Sequence, residues 1–137
     1  MSGCIFCSIV SGKIPATKVY EDDEVLVFMD IGPLVKGHVL VIPKVHIETV
    51  FDASDELIGK LHQIAARVAR AQKSQLGALG VNVLQNNGHI AGQEVDHFHI
   101  HVIPRFEGDG HTWKWTPLKY SEVVEMEDIA NKISAGI

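Results

Sequence analysis

Val95-Asp96-His97-Phe98-His99-Ile100-His101-Val102-Ile103 alternates imidazoles with apolar side chains along its last seven positions. A period of two is that of a β-strand, whose successive side chains leave on opposite faces. The stretch Val95 to Ile103 therefore predicts a strand with His97, His99 and His101 on one face and Phe98, Ile100 and Val102 turned into a core.

Side chains two apart on a strand sit about 7 Å from one another, close enough to share a phosphate or a metal ion. Histidine's unperturbed pKa, about 6.5, lets it serve as nucleophile, proton donor or phosphate ligand near neutral pH. An imidazole attacks phosphorus best when it is neutral and a carbonyl holds the proton of its other nitrogen, which sets both tautomer and aim. Two plainer readings stand beside this one. The three could be polar residues on an exposed sheet face, although such faces usually favour Thr, Lys or Glu. They could also bind a catalytic zinc, because His-x-His on a strand is a good bidentate grip.

Outward from this segment, Lys18 to Tyr20 and Val25 to Met29 read as a hairpin across the acidic turn Glu21-Asp22-Asp23-Glu24. Gly37 to Ile42 is a β-branched run ended by Pro43, which has no N–H to give to a ladder. From Asp55 to about Lys73, Leu57, Leu61, Ile64 and Val68 share one helical face. Asp52 or Ser54 caps its start, and Gly77 and Gly80 mark its end. Val81 to Gln85 is a further strand, followed by a turn at Asn86-Asn87-Gly88. Beyond Arg105 the chain predicts an irregular arm containing Trp113 and Trp115, then a helix over Ser121 to Ile133. The pattern is an α+β domain: an antiparallel sheet of about five strands with one long helix and a C-terminal helix.

The bulk properties agree with one domain over 1–137, since 137 residues bury a sufficient core without disulfides. The absence of a repeat or linker supports the same expectation. A net charge of -5 disfavours general nucleic-acid binding. There is neither a long apolar run nor a secretory signal pattern, so no membrane association and a cytoplasmic location are expected. The two cysteines, Cys4 and Cys7, have the two-residue gap that lets both thiolates grip one tetrahedral ion. A redox Cys-x-x-Cys opens a helix after a strand, and nothing long enough precedes Cys4. Two buried, metal-free thiols are the remaining alternative.

The run His97-Phe98-His99-Ile100-His101-Val102-Ile103 resembles the His-x-His-x-His-apolar-apolar motif of the histidine triad (HIT) superfamily. Asn86-Asn87-Gly88, Gly92-Gln93-Glu94-Val95 and the stretch from Gly37 to His46 resemble that family's other signatures in order and spacing. The likeness covers roughly Cys4 to Arg105, leaving 106–137 as arm and helix, and is similar to the Hint and Fhit branches.

The resemblance implies a covalent nucleotidyl intermediate on His99, with His101 donating to a phosphate oxygen and His38 completing the imidazole group. It assigns Asp30 to the ribose, and Asn86, Gly92, Gln93 and Glu94 to the phosphate side. Glu94 departs from the Ser or Thr of many members, and a carboxylate repels an anion. It further implies a structural zinc held by Cys4, Cys7, His46 and His97, a purine nucleotide substrate, and a homodimer in which the Trp113/Trp115 arm reaches a neighbouring site. The expected activity is hydrolysis or nucleotidyl transfer from nucleoside phosphoramidates or dinucleoside polyphosphates. The alternatives are a zinc-dependent hydrolase with the triad as its metal site, or a nucleotide-binding protein that no longer turns over.

Overall fold

A computed structural model of the protein describes residues 3–137. A short helix α1 (Ile5–Val10) precedes the hairpin β1 (Lys18–Glu21) and β2 (Val25–Met29), then β3 (Val39–Pro43) and the long helix α2 (Asp55–Leu76). Strand β4 (Gly80–Leu84), a 3₁₀ turn at His89–Ala91, β5 (Ile100–Arg105) and helix α3 (Val123–Ala135) complete the chain. The five strands form one antiparallel sheet in the order β1-β2-β3-β5-β4, the α+β architecture expected from sequence.

The pleat sorts the residues into two layers. Val25, Val27, Val39, Val41, Ile100 and Val102 pack beneath Leu61, Ile64, Ala65 and Val68 of α2. On the opposite face, Leu26, Phe28, Leu40 and Ile42 receive Phe6 and Ile9 of α1. Each fully buried aliphatic side chain contributes about 1.5–3 kcal/mol, so the apolar stripe of α2 is what holds it on the sheet. Of the two caps considered for α2, Ser54 is the one used, its hydroxyl accepting Leu57 N–H at 3.2 Å. The helix runs three residues past Lys73, because Gly77, at φ 73°, is where the left-handed stop falls.

Three local expectations change. The strand predicted over Val95 to Ile103 begins only at Ile100. Ahead of it the backbone bends, with Phe98 N–H donating to Ile47 O at 2.6 Å and the His97 carbonyl taken by a side chain instead of a ladder partner. Alternation of direction nevertheless holds: Phe98 and Ile100 are fully buried against α2, while the His97 and His99 rings are buried on the other side, against Phe6 of α1. The Asn86-Asn87-Gly88 segment is an irregular passage that bends at Gly88 into the 3₁₀ turn, which is flanked by Gly88 and Gly92, both at φ 94°. Helix α1 was not expected at all: Cys4 caps it, its sulfur accepting Cys7 N–H. Residues 106–120 form the anticipated arm, and α3 buries none of its side chains. Among the described residues no helix is long and apolar enough to cross a membrane.

Candidate active site

Hydrogen bonding assigns the protons of the histidines one after another. His99 Nδ1–H donates to the His97 carbonyl at 2.7 Å, which leaves the lone pair on Nε2. Leu34 N–H donates to His38 Nδ1 at 3.0 Å, so the ring proton of His38 sits on Nε2. That Nε2–H donates to His101 Nδ1 at 2.9 Å, which puts the His101 proton on its own Nε2. The result is one imidazole with an unshared nucleophilic nitrogen beside another presenting an N–H. Their ring centroids are 4.9 Å apart in an edge-on arrangement.

Burial keeps the group uncharged. His38, His99 and His101 all have lowered pKa values, chiefly through desolvation of the imidazolium, and His101 is pushed down to about 4. For His99, the hydrogen bond to the His97 carbonyl and the charges of Asp30 and Glu94 oppose the effect of burial. Phe6 packs edge-on against the His99 ring, with centroids 5.2 Å apart, and closes its apolar side.

These rings form the floor of a cleft of about 600 Å³ that also takes in Asp30, Asn86, Gly92 and Glu94. Asp30 follows β2, and its Oδ1 accepts Gly32 N–H at 2.8 Å while Oδ2 lies 3.6 Å from His38 Nε2. Asn86 Nδ2 donates to Gly92 O at 3.4 Å. A side chain at Gly92 would be strained by its positive φ and would press on Asn86 at 3.4 Å, so glycine keeps this wall open. Gln93 is not part of the wall. It is buried, its oxygen accepting Gly88 N–H at 2.7 Å and its amide donating to Glu48 O and Val95 O, so its side chain clamps the loop from inside. Trp113 lines the cleft from the arm, held by its indole N–H on Asn82 Oδ1 at 2.6 Å, whereas Trp115 is 85% exposed.

The first histidine of the motif faces elsewhere. His97 Nε2–H donates to Pro43 O at 2.8 Å, and its Nδ1 points at Cys4 Sγ (3.4 Å) and Cys7 Sγ (3.6 Å). His46 Nδ1 lies 3.3 Å from Cys7 Sγ, and the four ligand atoms all fall within 4.8 Å of one another. Tetrahedral zinc with S and N ligands needs sulfur–nitrogen separations of about 3.6 Å. The cluster fits that ion in donor type, spacing and tautomer, since the Pro43 carbonyl leaves the His97 Nδ1 lone pair directed at the sulfurs. The three motif histidines accordingly do not converge: His97 belongs to the thiol cluster, and His99 and His101 belong to the cleft.

Several residues that position the site carry no motif. Leu34 acts through its backbone, which no sequence pattern signals. Gln72 of α2 is 4% exposed, and its amide donates to Gly37 O and Val102 O, both at 3.0 Å, the carbonyls adjoining His38 and His101. Its visible sign was a polar residue on the buried stripe of α2, at i+4 from Val68. Arg105 grips Asp109 through two bonds of 2.7 and 2.9 Å and donates to Asn82 Oδ1, anchoring the arm that carries Trp113.

A five-stranded sheet presenting this pair of sites defines the histidine triad class, and the HIT domain family model matches residues 11–108. The chain belongs to that family. It is 42% identical over 134 residues to the adenosine 5'-monophosphoramidase hnt1 of Schizosaccharomyces pombe, covering 95% of this chain and 98% of that protein. A crystal structure of a HIT family protein from Bacillus anthracis superposes with a TM-score of 0.92 at 41% identity, over 99% of this chain and 98% of the other. A zinc-bound histidine triad family protein from Mycobacterium smegmatis matches with a TM-score of 0.77 at 35% identity, over 98% of each chain.

Proposed function

We propose that this enzyme, acting as one domain, hydrolyses or transfers nucleotides at the α-phosphate of nucleoside phosphoramidates or dinucleoside polyphosphates, through a covalent nucleotidyl-histidine on His99. The observation that carries the reading is the His99 ring itself. It is neutral, its Nδ1 proton is held by the His97 carbonyl, and its Nε2 lone pair is free in the cleft.

In the first step Nε2 bonds to the α-phosphorus, the bond from phosphorus to the leaving group breaks, and the leaving group departs with the electron pair and takes up a proton. The Nε2–H of His101, fixed by the relay from Leu34 through His38, donates to a phosphate oxygen where negative charge grows. In the second step water attacks phosphorus, gives up a proton, and the P–N bond breaks with its pair returning to Nε2, releasing a nucleoside monophosphate. Asn86 Nδ2 donates to the α-phosphate, Gly92 leaves room for its approach, and Asp30 Oδ2 accepts from the ribose. Phe6, Ile9, Ile14 and Phe28 supply apolar walls for a purine.

Cys4, Cys7, His46 and His97 hold a structural zinc. A closed four-ligand ion leaves no position for water and serves as a cross-link, here between α1, the segment after β3 and the turn before β5. The Zn-bound relative supports that assignment. A homodimer is supported by the arm and α3, where Trp115, Leu118, Val123 and Ile133 are at least 61% exposed. The net charge of -5 disfavours nucleic acid as a partner, and the cytoplasm is the proposed location.

The test is trapping. Wild-type protein given a labelled adenosine phosphoramidate and quenched in base should carry acid-labile adenylate on His99, and His99→Ala should carry none and release no monophosphate. Equal release by wild type and His99→Ala would overturn the proposal.

A further inference from the structure

The charge of the cleft narrows its substrates. Among the described residues that line it, the charged side chains are Asp30 and Glu94, and no lysine or arginine is present. His38 and His101 each accept a hydrogen bond at Nδ1, from Leu34 N–H and from His38 Nε2–H, so both are neutral, and the imidazoles present the His101 N–H and the His99 lone pair to the cleft and no fixed positive charge. Asp30 is engaged with Gly32 N–H and faces His38. Glu94 is different: it is solvent-exposed, stands on the cleft rim, and is absent from every side-chain hydrogen bond and ion pair among the described residues. It lines the same cleft as the His99 ring.

We propose that Glu94 determines leaving-group specificity, selecting nucleoside phosphoramidates whose departing amine carries a further positive charge and rejecting leaving groups that bring additional phosphate, sulfate or carboxylate charge. The inference rests on the attack by His99 argued above and deepens it. A nucleotide bound with its α-phosphorus at His99 Nε2 must send its leaving group toward the open rim, since Phe6 and the sheet close the other side. A dinucleoside polyphosphate would bring several negative charges to a rim with one carboxylate and no cation. An ammonium group on the leaving amine would instead complete the pairing that Glu94 lacks. Chemically the step is unchanged: the P–N bond breaks, its electrons go to the amine nitrogen, and that nitrogen takes a proton from solvent. Rejection by a like charge is as much a source of specificity as attraction.

The experiment compares adenosine 5′-phosphoramidates of three equally long amines, ending in an ammonium, a methyl and a carboxylate, together with diadenosine tetraphosphate. Full-length wild type, Glu94→Gln and Glu94→Lys are assayed for kcat/KM, with His99→Ala in parallel. The ammonium substrate should exceed the carboxylate substrate by about tenfold or more in wild type, from like and opposite charges a few ångströms away. The ratio should fall toward one in Glu94→Gln and invert in Glu94→Lys. In wild type it should shrink as salt is raised. Because Glu94 is exposed, the variants should melt with wild type, and the ratio within each protein cancels any common loss. A ratio that is the same in all three proteins would overturn this inference while leaving the His99 reading standing. Turnover indifferent to His99→Ala would sink both.

Discussion

Lowering the pH from 7 to 5 should destabilise the metal-free protein by about 3 kcal/mol through its buried histidines. His97 and His101 are both pushed down to about 4, His97 by loss of hydration around its fully buried ring and His101 by burial beside His99 and His38. In the unfolded chain both revert to about 6.5. Above 6.5 neither state binds the proton and stability is unaffected. Between 6.5 and about 4 the unfolded chain holds the extra protons, so stability falls as pH falls, and below about 4 the loss is complete. From pH 7 to 5 each histidine contributes at most about 2 kcal/mol at 1.36 kcal/mol per pH unit. Partial exposure of His101 trims the pair to about 3. His38 and His99, also lowered, add in the same direction. Urea midpoints across this range, on chelator-treated protein, measure the slope, and His101→Asn should remove roughly one proton from it. A midpoint flat between pH 7 and 5, or a His101→Asn slope identical to wild type, would refute the claim that these rings fold neutral.

Gln72→Met keeps the volume and deletes both bonds to Gly37 O and Val102 O; kcat should drop about tenfold with KM nearly constant, and the nitrogen shifts of His38 and His101 should move in NMR spectra, where a purely structural role would change only the melting temperature. Gly37→Ala forces a Cβ to within 2.9 Å of Pro104 Cγ and 3.1 Å of Leu76 Cδ1 at φ +103°, so chemical denaturation should show a loss above about 2 kcal/mol. Zinc analysis should find one ion per chain in wild type and none in Cys4→Ser/Cys7→Ser, whose melting temperature should fall and become insensitive to added chelator. Leu61→Ala, at a fully buried position under the sheet, should cost about 2–5 kcal/mol in urea titrations with the zinc content unchanged.

Much of the fold was legible because each buried element has a clean period. The stripe Leu57, Leu61, Ile64, Val68 placed α2, and the β-branched runs placed β2 and β3. The start of β5 was misplaced because alternation reports which way side chains point and not whether the backbone is paired; at His97 the carbonyl goes to the His99 ring, and a side-chain acceptor leaves no trace in hydrophobic pattern. Helix α1 was missed because six residues rich in β-branched side chains carry little helix signal of their own. Its stability comes from Phe6 and Ile9 docking on the sheet, a tertiary fact. At the site, side chains sharing a motif were visible, and so was the assignment of Asp30, Asn86 and Gly92 to one cleft. Gln93 misled because adjacency in sequence to Gly92 and Glu94 says nothing of direction, and its amide turned inward to satisfy buried backbone groups.

The division of labour among three alternating histidines follows from the bend that displaces β5. Were 95–103 a regular strand, His97, His99 and His101 would present parallel rings to one ligand, and the His97 carbonyl would be committed to a neighbour. The bend frees that carbonyl to orient His99, and it turns the His97 ring toward the two cysteine sulfurs. One residue thus touches both centres, its Nδ1 facing the sulfurs and its carbonyl oxygen setting the tautomer of His99, the proposed nucleophile. Phe6 repeats the connection from the other side, riding on α1 between the two cysteines while its ring packs on both His97 and His99, at 5.8 and 5.2 Å. Metal in the thiol cluster would therefore act on catalysis through the placement of His99 alone, by restricting two of the groups that surround its ring, and its removal should lower kcat more than it raises KM.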